Sequence, residues 1–457
     1  PGMSSRAARP ADRHMKSNGH RLPSTIDGKD FWSEARVARF QFRKIKEILT
    51  HANLDLPFYQ RRFKESGFDP AAVQNLHDFL KAPTFKKIHI IQEVKSKGYF
   101  DFGMEEVARG GPAVLCMTSG TLGTTFLYLP RKWRSIRADS LLRAYWWCGL
   151  RPGMRMLMAA PAWHSLAVPE TRIIEKMGVA CVIPWGTFLP RFSGNFISVL
   201  TELKPDFVSM FLPMLHALVA ELRRRNMAPS NAFRSVKSLL LVGAPMTPRS
   251  REKLQDQLGV PEIFEGLGNP EGLTAMECSF HCGHHIFMDG CYVEILDPKT
   301  GEPLPSGKRG TVVITSLIPY GSIYIRYDTE DLGEILPGSC ACGRSWPLME
   351  VYDRRTNIVQ VAGKEIVPYD VRLCTDAIPE LVGIPFALVR GERSRPYLKL
   401  VIQKLPSDDI NGVENRLKNL ICEQLQLEAQ IEWALELPER WKGVTVIEEK
   451  DWRAAHV

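Results

Sequence analysis

The sequence predicts an α/β protein in which a large α/β domain over 28–352 is followed by a small α+β domain over 353–457. Three observations carry that expectation. A chain of 457 residues exceeds one ordinary domain and is long enough to bury a sizeable core. Apolar runs at Met154 to Ala160, Ala180 to Trp185, Phe207 to Phe211 and Ser238 to Val242 alternate with helix-like segments such as Met214 to Arg225, the pattern of a covered, partly parallel sheet. After Tyr352 the runs shorten. Ile358 to Val361 and Tyr397 to Gln403 read as strands, and Val413 to Leu425 as an amphipathic helix with Leu417, Leu420 and Ile421 on its apolar side.

Residues 1–27 mix Arg6, Arg9, Arg13, Lys16 and Arg21 with Ser, Pro, Gly and little apolar material, and are expected to form a disordered basic tail. A transit peptide is the alternative, but Asp12 and the lack of an amphipathic pattern speak against it. Phe31 to Phe63 carries apolar residues at helical spacing, interrupted at Pro57, and reads as a helical entry segment. Tyr292 to Leu296 and Thr311 to Ser316 are separated by a loop opening with Asp297-Pro298-Lys299-Thr300-Gly301, and read as a β-hairpin.

Hydrophobic residues make up 44% and charged residues 24%, a globular composition. No apolar run approaches the roughly 20 residues of a membrane helix, so a soluble protein without a membrane partner is expected. The net charge of +8 sits partly in the tail and is otherwise scattered, with no motif for reading DNA or RNA. Ten cysteines without a secretory signal point to a reducing compartment and a cytoplasmic location. A homodimer is admitted.

Six of the cysteines, Cys116, Cys148, Cys181, Cys291, Cys374 and Cys422, stand in largely apolar surroundings and are expected to behave as small hydrophobes. The other four lie in Cys278-Ser-Phe-His281-Cys282-Gly-His284-His285 and Cys340-Ala-Cys342-Gly-Arg344. Two thiolates in a C-x-C turn, joined by a Cys and a His from a second loop, suit the tetrahedral shell of structural zinc. Reduced thiols beside solvated histidines are the alternative, and several residues of the first group compete for the remaining ligand places.

The loop Thr118-Ser119-Gly120-Thr121-Leu122-Gly123-Thr124-Thr125 directly follows the apolar run Ala113 to Met117. A strand emptying into such a loop presents backbone N–H groups and hydroxyls, the donors that cradle a polyphosphate. Ser/Thr/Gly clusters also form plain turns. The wording TSGTLGTT resembles the TSGTTGKP phosphate loop of the adenylate-forming ligases, the superfamily of acyl-CoA synthetases.

From about Phe31 to its end the chain resembles the phenylacetate-CoA ligase branch of that superfamily. Ile48 to Asn53 and Leu56-Pro57-Phe58-Tyr59 are similar to the entry "HAYENVPFYR". Gly243-Ala244-Pro245 is similar to the "GAEP" turn, Glu265-Gly266-Leu267-Gly268-Asn269 stands in the place of "YGLTE", and Tyr324 to Leu332 resembles "VIRYRTRDL". Cys340 to Arg344 is similar to "CPCGR", with Cys278 and His285 where the branch has its other two zinc ligands. Arg354 matches the Arg of "GRSDD", Gly363 to Pro368 resembles "RGVNVFP", and Trp441-Lys442-Gly443 resembles, less closely, the "GK" turn of the adenylation lysine.

The resemblance implies the adenylate-forming fold with a zinc-bearing β region and a mobile small C-terminal domain. It implies ATP as substrate, Mg²⁺, structural Zn²⁺ on Cys278, His285, Cys340 and Cys342, and coenzyme A as acceptor. It further implies Lys442 as the catalytic cation, and a nucleotide site made of Thr118, Ser119, Gly120, Thr121, Gly123, Thr124, Gly243, Ala244, Pro245, Glu265, Gly266, Leu267, Asn269, Asp331 and Arg354. Asp331 would hold the ribose hydroxyls. Trp163 and His164 fall where related enzymes shape the acyl pocket, and an aromatic wall there suits a flat aryl acid; a core Trp and a satisfied His are the plain alternative.

The departures point the other way. Thr124-Thr125 replaces Lys-Pro in the phosphate loop, and Asn269 stands where the family's Glu reaches magnesium, with Glu271 two places later. The aromatic over adenine falls on Glu265, the junction Asp on Thr356, the Gly before Lys442 on a Trp, and the Arg three places after the lysine on Thr445. The expected function is therefore an AMP-forming ligase that activates a carboxylic acid, an aromatic one by the pocket, and passes it to coenzyme A. The alternatives are an amine or hydroxyl acceptor, and a zinc-stabilised relative whose ATP chemistry is altered or lost.

Overall fold

The computed structural model describes residues 27–97, 113–117, 126–130, 140–160, 171, 174–183, 193–318, 321–391, 395–404, 409–437 and 446–454. The expected α/β class is the one observed. The chain departs from expectation at its start, because Asp27, assigned to the tail, is tied to the body. Its carboxylate takes Nη2 of Arg143 at 2.6 Å, and Asp289 takes the same nitrogen at 3.0 Å. Arg143 is fully buried and lies over the Trp346 ring at 4.8 Å. A guanidinium without water needs paired anions, and these two supply them.

Helices α1 (Glu34–Asp55) and α2 (Pro57–Ser66) form the entry segment. Pro57 has no N–H to leave unsatisfied, so it opens α2 as well as ending α1. α1 buries Val37, Gln41, Ile45, Ile48, Leu49 and Ala52 along one stripe. The Tyr59 hydroxyl fastens α2 to the sheet, donating to the Ile323 carbonyl at 2.6 Å and accepting from the Ile325 N–H at 3.1 Å.

Among the described residues, fourteen strands follow before the chain style changes: β1 (Phe85–Lys86), β2 (Ala113–Met117), β3 (Phe126–Pro130), β4 (Arg155–Ala159), β5 (Ala180–Val182), β6 (Phe207–Phe211), β7 (Ser238–Val242), β8 (Glu262–Gly268), β9 (Thr274–Glu277), β10 (His284–Ile286), β11 (Cys291–Leu296), β12 (Gly310–Ser316), β13 (Tyr327–Ile335) and β14 (Leu348–Arg354). Apart from the β2–β3 hairpin they make one twelve-stranded sheet, ordered β11-β12-β13-β14-β10-β9-β8-β7-β6-β4-β5 with β1 added beside β13. β4 to β8 pair in parallel, and from β8 to β9 the pairing turns antiparallel. The inner parallel strands are covered on both faces, so β6 is buried along its whole length, while the edge strand β5 is partly exposed. Helices α3 (Leu212–Arg224) and α4 (Pro248–Leu258) join β6 to β7 and β7 to β8. The β11–β12 hairpin read from the sequence is observed, and its loop is set by Asp297, whose Oδ1 accepts from the N–H groups of Lys299 and Thr300.

The C-terminal part builds a separate core around Val371, Leu388, Leu400 and Leu417. It comprises the hairpin of β15 (Val359–Val361) and β16 (Lys364–Ile366), helix α5 (Pro368–Asp376), helix α6 (Ile410–Leu425), and a four-stranded sheet of β17 (Phe386–Arg390), β18 (Tyr397–Gln403), β19 (Glu428–Ala434) and β20 (Val446–Glu448). Ala362 and Gly363 turn the first hairpin with φ of 48° and 77°, the left-handed pair that a two-residue loop requires. Cys422 departs from expectation: it is exposed on α6, because the helix buries Val413, Leu417 and Ile421 and position 422 points about 100° away from that stripe. No helix among the described residues is long and apolar enough to cross a membrane.

The C-terminal unit rests on α3 and α4, and His216 of α3 lies against it, next to Gly383. Burial first, then the charges of Arg372 and Lys253, hold His216 down to about 4 against an opposing pull from Asp376. Its folded value lies below the ordinary 6.5, so the neutral ring stabilises the fold above about pH 6.5, and that contribution is lost as pH falls toward 4. Thermal midpoints measured from pH 7 to pH 4 should fall less steeply in His216→Gln than in the wild type. Parallel slopes would assign the acid loss to other groups.

Candidate active site

The change from parallel to antiparallel pairing opens the sheet at the C-terminal ends of β7 and β8, where open α/β sheets bind ligands. Gly243 leaves β7 with φ of 89°, and a Cβ there would lie 2.7 Å from Cδ1 of Phe211, so the chain can turn only through glycine. Ala244, Pro245 and Met246 complete the turn, and Thr247 caps α4 by accepting from the Ser250 N–H at 3.1 Å. Gly266 lies in β8 between Val242 and Met276, and Leu267 packs on the core of the entry helices.

Glu265 stands where the resemblance puts an aromatic over adenine, yet its side chain is buried and turned to structural use. One oxygen accepts from the Met246 N–H at 3.1 Å, and the other lies 3.7 Å from Nε2 of His284. Burial first, then the negative charges of Glu277 and Glu350, raise its pKa against the pull of His284 and Arg251. Asn269 is likewise occupied. Its Oδ1 accepts from Gly272 and Leu273 N–H at 3.0 and 2.9 Å, closing a tight turn.

Glu277, at the end of β9, is almost fully buried. It receives Arg251 of α4 through two hydrogen bonds of 2.8 and 2.6 Å, the Glu265 N–H at 2.6 Å and Nδ1 of His281 at 3.2 Å. Burial alone would raise its pKa, but His281 and Arg251 outweigh that and lower it. Sequence reasoning missed this residue. Its only signal is its place directly before Cys278.

Asp331 and Arg354 are cross-strand partners on β13 and β14, with Nε of Arg354 3.1 Å from Oδ1 of Asp331. A bulge presents Asp331: between the pairs Val313–Asp328 and Thr311–Leu332, one residue of β12 faces three of β13, and Glu330 takes φ of 63°. The charge of Asp331, above all, raises the Arg354 pKa. Two further charged groups join them. Glu271 feels Lys87, Arg354 and Asp331, and burial raises its pKa; Lys87, buried behind β1, has its pKa lowered first by burial, against the pull of Glu271. Lys87 was invisible in the sequence, where Lys86-Lys87 reads as ordinary surface charge.

The two cysteine groups meet beneath β10. One ligand atom each from Cys278, His285, Cys340 and Cys342 lies within 4.8 Å of all the others. Sγ of Cys278 is 3.5 Å from Sγ of Cys340, and Nε2 of His285 is 3.3 Å from Sγ of Cys342. Nδ1 of His285 is 2.9 Å from the Trp346 carbonyl, and donation there leaves Nε2 free to ligate. Cys282 stays beside the group, 3.2 Å from Cys340. His281 turns away to Glu277, and His284 to Glu265 and Glu350. Hydrogen bonds from Cys278, Cys282 and Cys342 hold the Cys340 thiol well below its ordinary range.

Thr118, Ser119, Gly120, Thr121, Gly123 and Thr124 lie outside the described residues, between the paired ends of β2 and β3 at Met117 and Phe126. Trp163, His164 and Lys442 lie outside them too.

A family model described as "AMP-binding enzyme" matches residues 38–317. A phenylacetate-coenzyme A ligase of Thermus thermophilus is 27% identical over 404 residues, covering 84% of this chain and 88% of that protein. A phenylacetate-coenzyme A ligase of Escherichia coli is 26% identical over 355 residues, covering 75% and 77%. Among solved structures, a 2-hydroxyisobutyryl-CoA ligase in the postadenylation state, in complex with R3-HIB-AMP, superposes with a TM-score of 0.83 at 20% identity, over 98% of each chain. The same ligase with 2-HIB-AMP and CoA in the thioesterification state gives 0.66 at 21% identity, again over 98% of each.

Proposed function

The chain belongs to the AMP-binding enzyme family, and from that membership we propose how its residues divide the work of an ATP-dependent acid–coenzyme A ligase. The protein is such a ligase and proceeds through an acyl-adenylate. A carboxylate oxygen of the acid attacks the α-phosphorus of ATP, the bond to the bridging oxygen breaks, and pyrophosphate leaves with that electron pair. The thiol of coenzyme A then loses its proton and its sulfur attacks the acyl carbon. The bond to the AMP oxygen breaks, giving the thioester and AMP.

The observation that carries the assignment of residues is the Asp331–Arg354 pair, whose charges reach Glu271 in the loop that follows β8. Asp331 accepts hydrogen bonds from the ribose hydroxyls, and Arg354 holds that carboxylate aimed. The base lies against Gly243, Ala244, Pro245, Gly266 and Leu267. The loop from Thr118 to Thr124 binds the phosphates. Lys442 brings a cation to the α-phosphate, where charge accumulates as pyrophosphate leaves. The acid is aromatic and lies against Trp163 and His164, a reading supported by the phenylacetate-coenzyme A ligases among the relatives.

Magnesium would take its protein ligand from Glu271, since the acceptor oxygen of Asn269 is already used twice within its own turn. Its chemistry is charge neutralisation on the phosphates. The cysteine–histidine group fits a structural zinc: three sulfurs and one imidazole nitrogen, with the other ring nitrogen held by a carbonyl. When bound, the ion locks the 278–285 and 340–342 loops together. Cys148, Cys181, Cys291, Cys374 and Cys422 are free thiols, which is in keeping with a cytoplasmic location.

Elemental analysis should find one zinc per chain, and Cys340→Ser should remove it. Absence of metal from the wild type, or metal retained in the variant, would refute the zinc assignment. For the chemistry, Lys442→Ala should slow acyl-adenylate formation by roughly 10²-fold or more while affecting acyl transfer from a supplied adenylate far less. Equal losses in the two half-reactions would make Lys442 structural.

A further inference from the structure

Asp376, the last residue of α5, is a carboxylate with 1% of its surface exposed, and its partners are drawn from two separately packed parts of the chain. One oxygen accepts from the Thr247 hydroxyl at 2.6 Å and from the Ser250 hydroxyl, both on the first turn of α4. The other accepts from the Gly383 N–H at 3.1 Å, within its own unit. The carboxylate thus also sits at the positive end of the α4 dipole. A second link lies alongside, where Nζ of Lys253 donates to the Val382 carbonyl at 2.6 Å. At the far edge of α5, Asp370 receives Arg309 at 2.8 Å.

Thr247 directly follows the Gly243–Met246 turn. Its hydroxyl works in both directions, accepting from the Ser250 N–H and donating to Asp376. Met246 is held on the other side by Glu265. The exit of the turn is therefore fixed jointly by the sheet and by the C-terminal unit. If that unit turned away, Asp376 would lose both hydroxyls, and a buried carboxylate tolerates such a loss poorly. The arrangement in which these bonds are made superposes better on the postadenylation than on the thioesterification form of the related ligase.

We propose that Asp376 is a positioning residue for the adenylation half-reaction: it clamps the C-terminal unit to the first turn of α4, holds the Gly243–Met246 turn in shape for the nucleotide, and is released for acyl transfer. This rests on the ligase reading above. It assigns Asp376 no contact with substrate, so its effect divides between the half-reactions, whereas a merely structural loss would lower both together.

The test measures acid-dependent exchange of pyrophosphate into ATP, and separately thioester formation from a supplied acyl-adenylate and coenzyme A. Asp376→Ala should lower exchange roughly tenfold or more and leave transfer within about twofold of wild type. Asp376→Asn, which keeps one acceptor oxygen, should fall between. Lys253→Met, which strands no buried charge, should shift the ratio of exchange to transfer in the same direction by a smaller factor, and it decides the matter if Asp376→Ala does not fold. An unchanged ratio in the folded variants overturns the proposal while leaving the ligase reading intact. No exchange in the wild type with any acid overturns the ligase reading and this proposal with it.

Discussion

The charge of Glu277 has to be answered inside the protein, and much of the site follows from how this is done. The carboxylate has almost no solvent, and water is replaced by a two-pronged guanidinium, a backbone N–H and an imidazole. Removing one partner from such a pair costs about 3–5 kcal/mol, because the remaining charge stays buried and uncompensated. The three elements that answer Glu277 are thereby fixed relative to one another: α4 through Arg251, β8 through Glu265, and the first cysteine loop through His281.

Each of those elements carries a different part of the function. α4 begins at the turn assigned to the base, and its first turn also receives Asp376 from the C-terminal unit. β8 supplies Gly266 and Leu267, and uses the Glu265 carboxylate to hold that turn from beneath. Cys278 follows Glu277 directly, so a metal bound there would anchor the same junction from the other side. This is preorganisation in the physical sense: the groups proposed to meet the nucleotide are set by buried pairs at some distance from them, so little reorganisation is left for a reacting complex.

The sheet was legible in the sequence because its parallel strands are buried on both faces and show up as continuous apolar runs, as at Phe207 to Phe211 and Ser238 to Val242. The cysteine groups are short local patterns, and the Gly243 turn, Asp331 and Arg354 each lie in a short stretch that carries the family resemblance; that Asp331 and Arg354 face each other is shown by the fold. Pairings between distant positions were not legible. Thr247 and Asp376 are 129 residues apart, and Asp27 and Arg143 are 116 apart, with nothing local to mark either partner. The buried partners of Glu265, Met246 and His284, are unmarked in the sequence for the same reason.

Hydrogen exchange by mass spectrometry on Glu277→Gln, compared with the wild type, tests the central role of this carboxylate most directly. The substitution keeps the size of the side chain and removes the charge that Arg251 and His281 answer. Exchange should be faster across 243–251 and 262–268 as well as 276–286, by roughly tenfold or more, the equivalent of losing one charged hydrogen bond. Faster exchange confined to 276–286, with the turn and the start of α4 as protected as in the wild type, would contradict it.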